Sequence, residues 1–103
     1  MKRTVIRYKT KPESGQENER LIQRVFEELR AKSPDGVRYL ALRLGDGTFV
    51  HFVEADDGPS LIPQLEAFQS FQKGIKERCI ELPQSSEATV VGNYRMLGET
   101  DHD

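Results

Sequence analysis

The sequence predicts an α+β fold: a ferredoxin-like βαββαβ sandwich, with a four-stranded antiparallel sheet and helices on one of its faces. Three observations carry this expectation. Two stretches repeat apolar residues at helical spacing, one led by Leu21 and Ile22 and one by Leu65 and Phe68. Four short stretches, 2–10, 37–44, 48–54 and 88–97, are rich in β-branched and aromatic residues. The middle two are separated only by Gly45-Asp46-Gly47, a loop too short for anything but an antiparallel hairpin.

Lys2 to Thr10 alternates well enough to form the first strand, and Pro12 ends it. Ser14 and Glu17 have capping-box spacing, and Leu21, Ile22, Val25, Phe26 and Leu29 then fall on one helical stripe. Ser33-Pro34-Asp35-Gly36 supplies a turn, followed by strands Val37 to Leu44 and Thr48 to Glu54. Asp56-Asp57-Gly58-Pro59 closes the second hairpin arm. Leu65, Phe68, Phe71 or Gln72, Ile75, Cys79 and Leu82 predict a second helix that Gly74 weakens and Pro83 stops. Ala88 to Leu97 is the expected last strand, with Gly92 as a bulge. One domain is expected over 1–97, with a polar C-terminal tail at 98–103.

The loop leaves two registers open. With three loop residues and Gly47 left-handed, Leu44 faces Thr48, which groups Leu40, Leu42, Leu44, Val50 and Phe52 against Val37, Tyr39, Ala41, Phe49, His51 and Val53. A two-residue Asp-Gly turn moves His51 to the other group. Either way both sheet faces carry large apolar side chains, while two helices cover only one. A second copy of the chain is the economical cover for the other, so a homodimer through the sheet face is expected.

Fifteen basic against seventeen acidic residues give a net charge of −2, which works against long-range attraction to nucleic acid. The basic residues Lys2, Arg3, Arg7, Lys9 and Lys11 are expected to dress the edge of the first strand. One cysteine, Cys79, excludes an internal disulfide and is expected as a buried apolar residue. No apolar run approaches the ~20 residues of a bilayer span, and a cytoplasmic protein without membrane partners is expected.

Phe49-Val50-His51-Phe52 matches the end of an RNA-recognition signature, but Gly45, Asp46, Gly47 and Thr48 stand where its basic residue and first stacking aromatic belong. Gly36-Val37-Arg38-Tyr39 opening the second strand, Phe49 to Glu54 as the third, and a following helix with Phe68 and Phe71 instead resemble the antibiotic-biosynthesis-monooxygenase type of dimeric α/β barrel. The resemblance spans residues 2 to 97. It implies paired ferredoxin-like sheets with a pocket between each sheet and its helices. It also implies cofactor-independent oxygenation of small aromatic or polyketide-like compounds, haem degradation, isomerisation or decarboxylation. With no tryptophan in the chain, the haem-degrading Asn-Trp-His constellation does not carry over, and Ala55-Asp56 replaces the tryptophan often found after strand three.

His51 is the residue best suited to acid or base work, since a histidine facing a pocket titrates near neutral pH. Tyr8, Tyr39 and Asn93 are the polar groups set into apolar runs that would orient a substrate, and Phe68 and Phe71 would wall the pocket. No metal is expected: His51 and Glu54 point to opposite faces of a strand, and Asp56 and Asp57 suit turn capping. No motif calls for an organic cofactor. The functional expectation is a cofactor-independent monooxygenase, against a non-catalytic small-molecule-binding or structural dimer and against an RNA-binding module.

Overall fold

A computed structural model describes residues 1–58 and 60–97; Pro59 and the expected tail at 98–103 lie outside the described residues. The elements are β1 (Lys2–Thr10), α1 (Gly15–Lys32), β2 (Val37–Arg43), β3 (Thr48–Ala55), α2 (Glu66–Gln72), α3 (Ile75–Arg78) and β4 (Cys79–Glu87). Single 3-10 turns at Pro12–Ser14 and Ile62–Gln64 precede α1 and α2. The sheet order is β2-β3-β1-β4, every pair antiparallel, which is the ferredoxin-like arrangement the element order predicts.

The hairpin takes the three-residue loop. Leu44 N donates to Thr48 O at 2.8 Å, Gly47 N donates back to Leu44 O at 3.2 Å, and Gly47 has φ 89°, a left-handed conformation that suits glycine. Asp46 accepts the Thr48 N–H at 3.0 Å and tightens the turn. Arg43 therefore pairs with Phe49 and Ala41 with His51. Tyr39, Ala41, Phe49 and His51 face the helices, joining Tyr8 from β1. Leu40, Leu42 and Leu44 lie on the other side, where they are 44%, 48% and 45% exposed.

The core fills the space between sheet and helices. Ile22 and Val25 of α1, Leu65 and Phe71 at and within α2, and Cys79 close over Tyr8 and Phe49. The two rings stack with centroids 5.5 Å apart and planes within 8°. The predicted stripe on α1 is therefore the buried one. Its start differs from expectation: Ser14 is in αR conformation and makes no side-chain cap, because the Pro12–Ser14 turn already feeds the chain into the helix.

The second half of the chain departs from the sequence reading in two linked ways. The expected single helix through Leu82 is broken at Lys73-Gly74, where Gly74 has φ 79°, and α3 ends at Arg78. The last strand is then Cys79–Glu87, not Ala88 to Leu97, and it pairs with β1 through a register shift. Pro83 is tolerated there because β4 is an edge strand, where a missing N–H need not interrupt a ladder. Beyond it Ala88 N still bonds to Arg3 O at 2.9 Å, but Val91, Tyr94 and Met96 are exposed and belong to no strand.

On the open face the basic first strand is met by carboxylates. Arg3 Nε donates to Glu54 at 2.6 Å and Arg7 to Glu81 at 3.2 Å. Glu54 thus faces away from His51, as strand alternation requires. Phe49, one of the aromatics in the RNA-type match, is 1% exposed and cannot stack a base.

Candidate active site

His51 sits in the middle of β3 and is 2% exposed. Strands on either side each bring a tyrosine to one of its ring nitrogens. Tyr8 Oη of β1 lies 2.8 Å from Nε2, and Tyr39 Oη of β2 lies 2.6 Å from Nδ1. The register explains both: Tyr8 pairs with Phe49 and Tyr39 with Val53, so each phenol reaches diagonally across the face to the residue between.

The chain of polar groups continues into the helix layer. Asn18 Nδ2 of α1 donates to Tyr8 Oη at 2.9 Å, and Arg78 Nε donates to Asn18 Oδ1 at 3.0 Å. Arg78, 6% exposed, also donates to the carbonyls of Phe71 at 2.7 Å and Lys73 at 3.1 Å. It thereby ties off the end of α2 as well. Phe71 seals the chain from above, its ring centroid 5.6 Å from that of His51 and 6.2 Å from that of Tyr8. Phe68 packs behind it, its ring tilted and 6.0 Å away.

Burial controls the ionisation of all three members. It pushes the His51 imidazolium down to about 4, so the ring is neutral at physiological pH. It raises Tyr8, against a smaller opposing effect of the Asn18 hydrogen bond, and it raises Tyr39. Both phenols keep their protons.

Two grooves lie along the β2 edge. A groove of about 470 Å³ runs between α1 and the β2 edge, lined by Ile22, Phe26, Ala41 and Phe49 together with the charged Glu19, Glu27, Arg30 and Arg43. A second of about 260 Å³ shares Phe26 and Arg30 with the first and is lined by Pro34, Val37 and Tyr39. Phe26 meets the Tyr39 ring edge-on at 4.9 Å. His51 lines neither groove; Tyr39 lines the second and bonds to His51, so it connects the two.

Of the residues singled out in the sequence, His51, Tyr8, Tyr39, Phe71 and Phe68 come together. Asn93 does not: it follows β4, and its carbonyl oxygen accepts the N–H groups of Met96 and Leu97 at 3.0 and 3.1 Å. The amide that does bond to Tyr8 is Asn18, which sequence reasoning missed. Its signal was there, since Asn18 precedes Ile22 and Val25 by one and two helical turns on the apolar stripe of α1. Arg78 gave no such sign, because its burial follows from the break at Gly74. Among the described residues no cluster of three or more histidine, cysteine or acidic side chains is arranged to hold a metal.

Fold and site together define a ferredoxin-like α+β protein whose buried tyrosine-histidine-tyrosine chain reaches a groove at the sheet edge. No protein-family model and no curated protein matches the sequence. Solved structures do match in shape. A conserved protein from Methanosarcina mazei is 20% identical, with a TM-score of 0.70 over 84% of this chain and 89% of its own. A candidate antibiotic biosynthesis monooxygenase from Nitrosomonas europaea is 10% identical, with a TM-score of 0.71 over 87% and 89%. An antibiotic biosynthesis monooxygenase is 19% identical, with a TM-score of 0.67 over 89% of this chain and all, 100%, of its own. These likenesses establish a shared fold, the one the sequence resemblance implies.

The depressed His51 value has a consequence for stability. A histidine at 6.5 when unfolded and about 4 when folded takes up its proton first in the unfolded chain. Its contribution is complete above pH 6.5 and is lost as pH falls toward 4, by roughly 3 kcal/mol in total. Urea unfolding between pH 7 and 4 is expected to show this loss in the wild type. His51→Gln lacks the titrating ring, so the difference between the two proteins should shrink by that amount over the same window.

Proposed function

We propose that the protein is a cofactor-independent monooxygenase acting on small, electron-rich aromatic or polyketide-like compounds bound in the grooves along β2. The observation that carries the proposal is Tyr39: the residue lines a groove, and its hydroxyl is held by a neutral, buried His51. The shared fold with an antibiotic biosynthesis monooxygenase supports it. The grooves are of a size for one or two fused rings, and they combine apolar walls such as Phe26 and Val37 with charged side chains such as Arg30 and Glu27.

In this reading the substrate ionises to a phenolate or enolate, whose oxygen Tyr39 stabilises by hydrogen bonding. Its electron-rich ring carbon forms a bond to dioxygen and loses its proton. The O–O bond of the resulting hydroperoxide then breaks, leaving a ketone oxygen on the ring and releasing water. For a dihydroxynaphthalene the products are a hydroxynaphthoquinone and one water. All four electrons come from the substrate, so no reductant is needed. An imidazole protonating only near pH 4 is a weak base for a carbon acid, so His51 serves by positioning Tyr39 rather than by attacking substrate directly.

A second element of the proposal is a homodimer through the open sheet face. Leu40, Leu42 and Leu44 are about half exposed beside partly buried Val50 and Phe52, and the helices lie on the other side. A contiguous apolar face of this kind is stabilised by its own copy about a twofold axis. No helix among the described residues is long and apolar enough to cross a membrane.

Dioxygen uptake with a panel of dihydroxynaphthalenes is expected above the protein-free rate, and Tyr39→Phe should lower kcat on the order of a hundredfold by deleting one oxyanion donor. His51→Ala should lower it comparably. No uptake, or uptake untouched by Tyr39→Phe, would refute the oxygenase reading and leave a binding or structural role. Light scattering at micromolar concentration is expected to give a dimer mass for the wild type and a monomer for Leu42→Glu. A monomeric wild type would remove the dimer.

A further inference from the structure

We propose that Arg78 and Asn18 are positioning residues that fix the direction of the whole hydrogen-bond chain, so that Tyr39 presents its hydroxyl proton to the groove. The proposal rests on the reading of Tyr39 as the group that meets the ligand, and it concerns what that ligand must carry.

The chain is anchored at its buried end. A guanidinium has only donors, and Arg78 Nε lies 3.0 Å from the Asn18 side chain, so the amide must turn its oxygen toward Arg78. The Arg78 side chain cannot swing away freely, because its other two nitrogens hold the carbonyls of Phe71 and Lys73. The Asn18 amide nitrogen is thus aimed at Tyr8 Oη, 2.9 Å away, and donates to it. Tyr8 has one proton of its own and one remaining neighbour, His51 Nε2 at 2.8 Å.

Two arrangements of the imidazole proton are then conceivable, and they differ in what they leave unsatisfied. With the proton on Nε2, that nitrogen donates to Tyr8 Oη, which already accepts from Asn18. The Tyr8 proton is then left without an acceptor on a residue 1% exposed. With the proton on Nδ1, Tyr8 donates to Nε2 and Nδ1–H donates to Tyr39 Oη at 2.6 Å, so the one hydroxyl proton without a protein acceptor belongs to Tyr39, which is only partly buried and lines a groove, and not to the fully buried Tyr8. Tyr39 has then accepted a bond from behind, and its own proton is free for the groove.

Direction therefore propagates outward from Arg78 through Asn18, Tyr8 and His51 to Tyr39. The ligand it suits carries an acceptor oxygen, such as a phenolate, an enolate or a quinone carbonyl. A ligand offering only a donor at that point leaves the Tyr39 proton without an acceptor. Asn18 and Arg78 contact no ligand in this scheme; they act through the tautomer of His51.

The tautomer can be read by 15N NMR at neutral pH on protein labelled at histidine, with His102→Gln removing the second histidine signal. In otherwise wild-type protein the Nδ1–H form is expected in roughly tenfold excess or more. Asn18→Asp is the decisive variant, since a carboxylate of nearly the same shape accepts from both Arg78 and Tyr8. Tyr8 Oη then accepts from His51 instead of donating to it, and the Nε2–H form should predominate. Predominance of Nε2–H in wild-type protein, or retention of Nδ1–H in folded Asn18→Asp, would overturn the proposal. Should Asn18→Asp fail to fold, the wild-type tautomer still decides. None of these readings involves substrate, so failure of the oxygenase reading shows separately, in dioxygen uptake.

Discussion

The interaction on which the rest of the structure depends is the hydrogen-bond chain from Arg78 through Asn18, Tyr8 and His51 to Tyr39. It links a charged, an amide, an imidazole and two phenol side chains across the interior of a small domain. A buried polar group left unpaired costs on the order of 1–3 kcal/mol, so each member requires its neighbour's position. Three strands and two parts of the helical layer are thereby held in one arrangement. The register of the β2–β3 hairpin, the depth of α1 and the break before α3 are all needed to bring these groups within bonding distance. Apolar packing around them, above all Tyr8 on Phe49 and Phe71 over His51, keeps water from competing for the same bonds.

The same burial shapes the chemistry. An imidazole in this setting stays neutral, and two phenols keep their protons, so this chain of side chains carries no charge apart from the guanidinium at its far end. Such a chain transmits orientation more readily than it moves protons. Tyr39 is the member placed where the interior meets a groove, and its usefulness follows from what lies behind it. Cofactor-independent oxygenation makes a modest demand of a protein: hold an electron-rich ring, stabilise its anion and admit dioxygen. A single well-oriented hydroxyl in a partly apolar groove suits that demand.

Much of this was legible in the sequence, for identifiable reasons. The α1 stripe, the short hairpin loop and the alternation of Tyr39, Ala41 and Phe49, His51 are strong periodic signals, and they gave the fold and most of the site. The hairpin register turned on Gly47, whose left-handed conformation selects the three-residue loop. The second half misled because edge strand β4 is mostly polar and contains Pro83, while the β-branched run after it resembles a strand but finds no partner in the sheet. That shift carried Asn93 away from the site. Asn18 was visible as an amide on an apolar stripe, but only the fold shows what it faces. Arg78 lies in a charged run and becomes a core residue only because Gly74 turns the chain.

The most direct test of a buried, neutral histidine held between two tyrosines is the protonation state of His51 followed by NMR from pH 7.5 downward, with the signal assigned by its loss in His51→Gln. The ring is predicted to remain neutral through pH 5 and to protonate only near pH 4 or with unfolding. Protonation near pH 6.5 in the folded protein would mean that the imidazole is open to water, and would contradict the account.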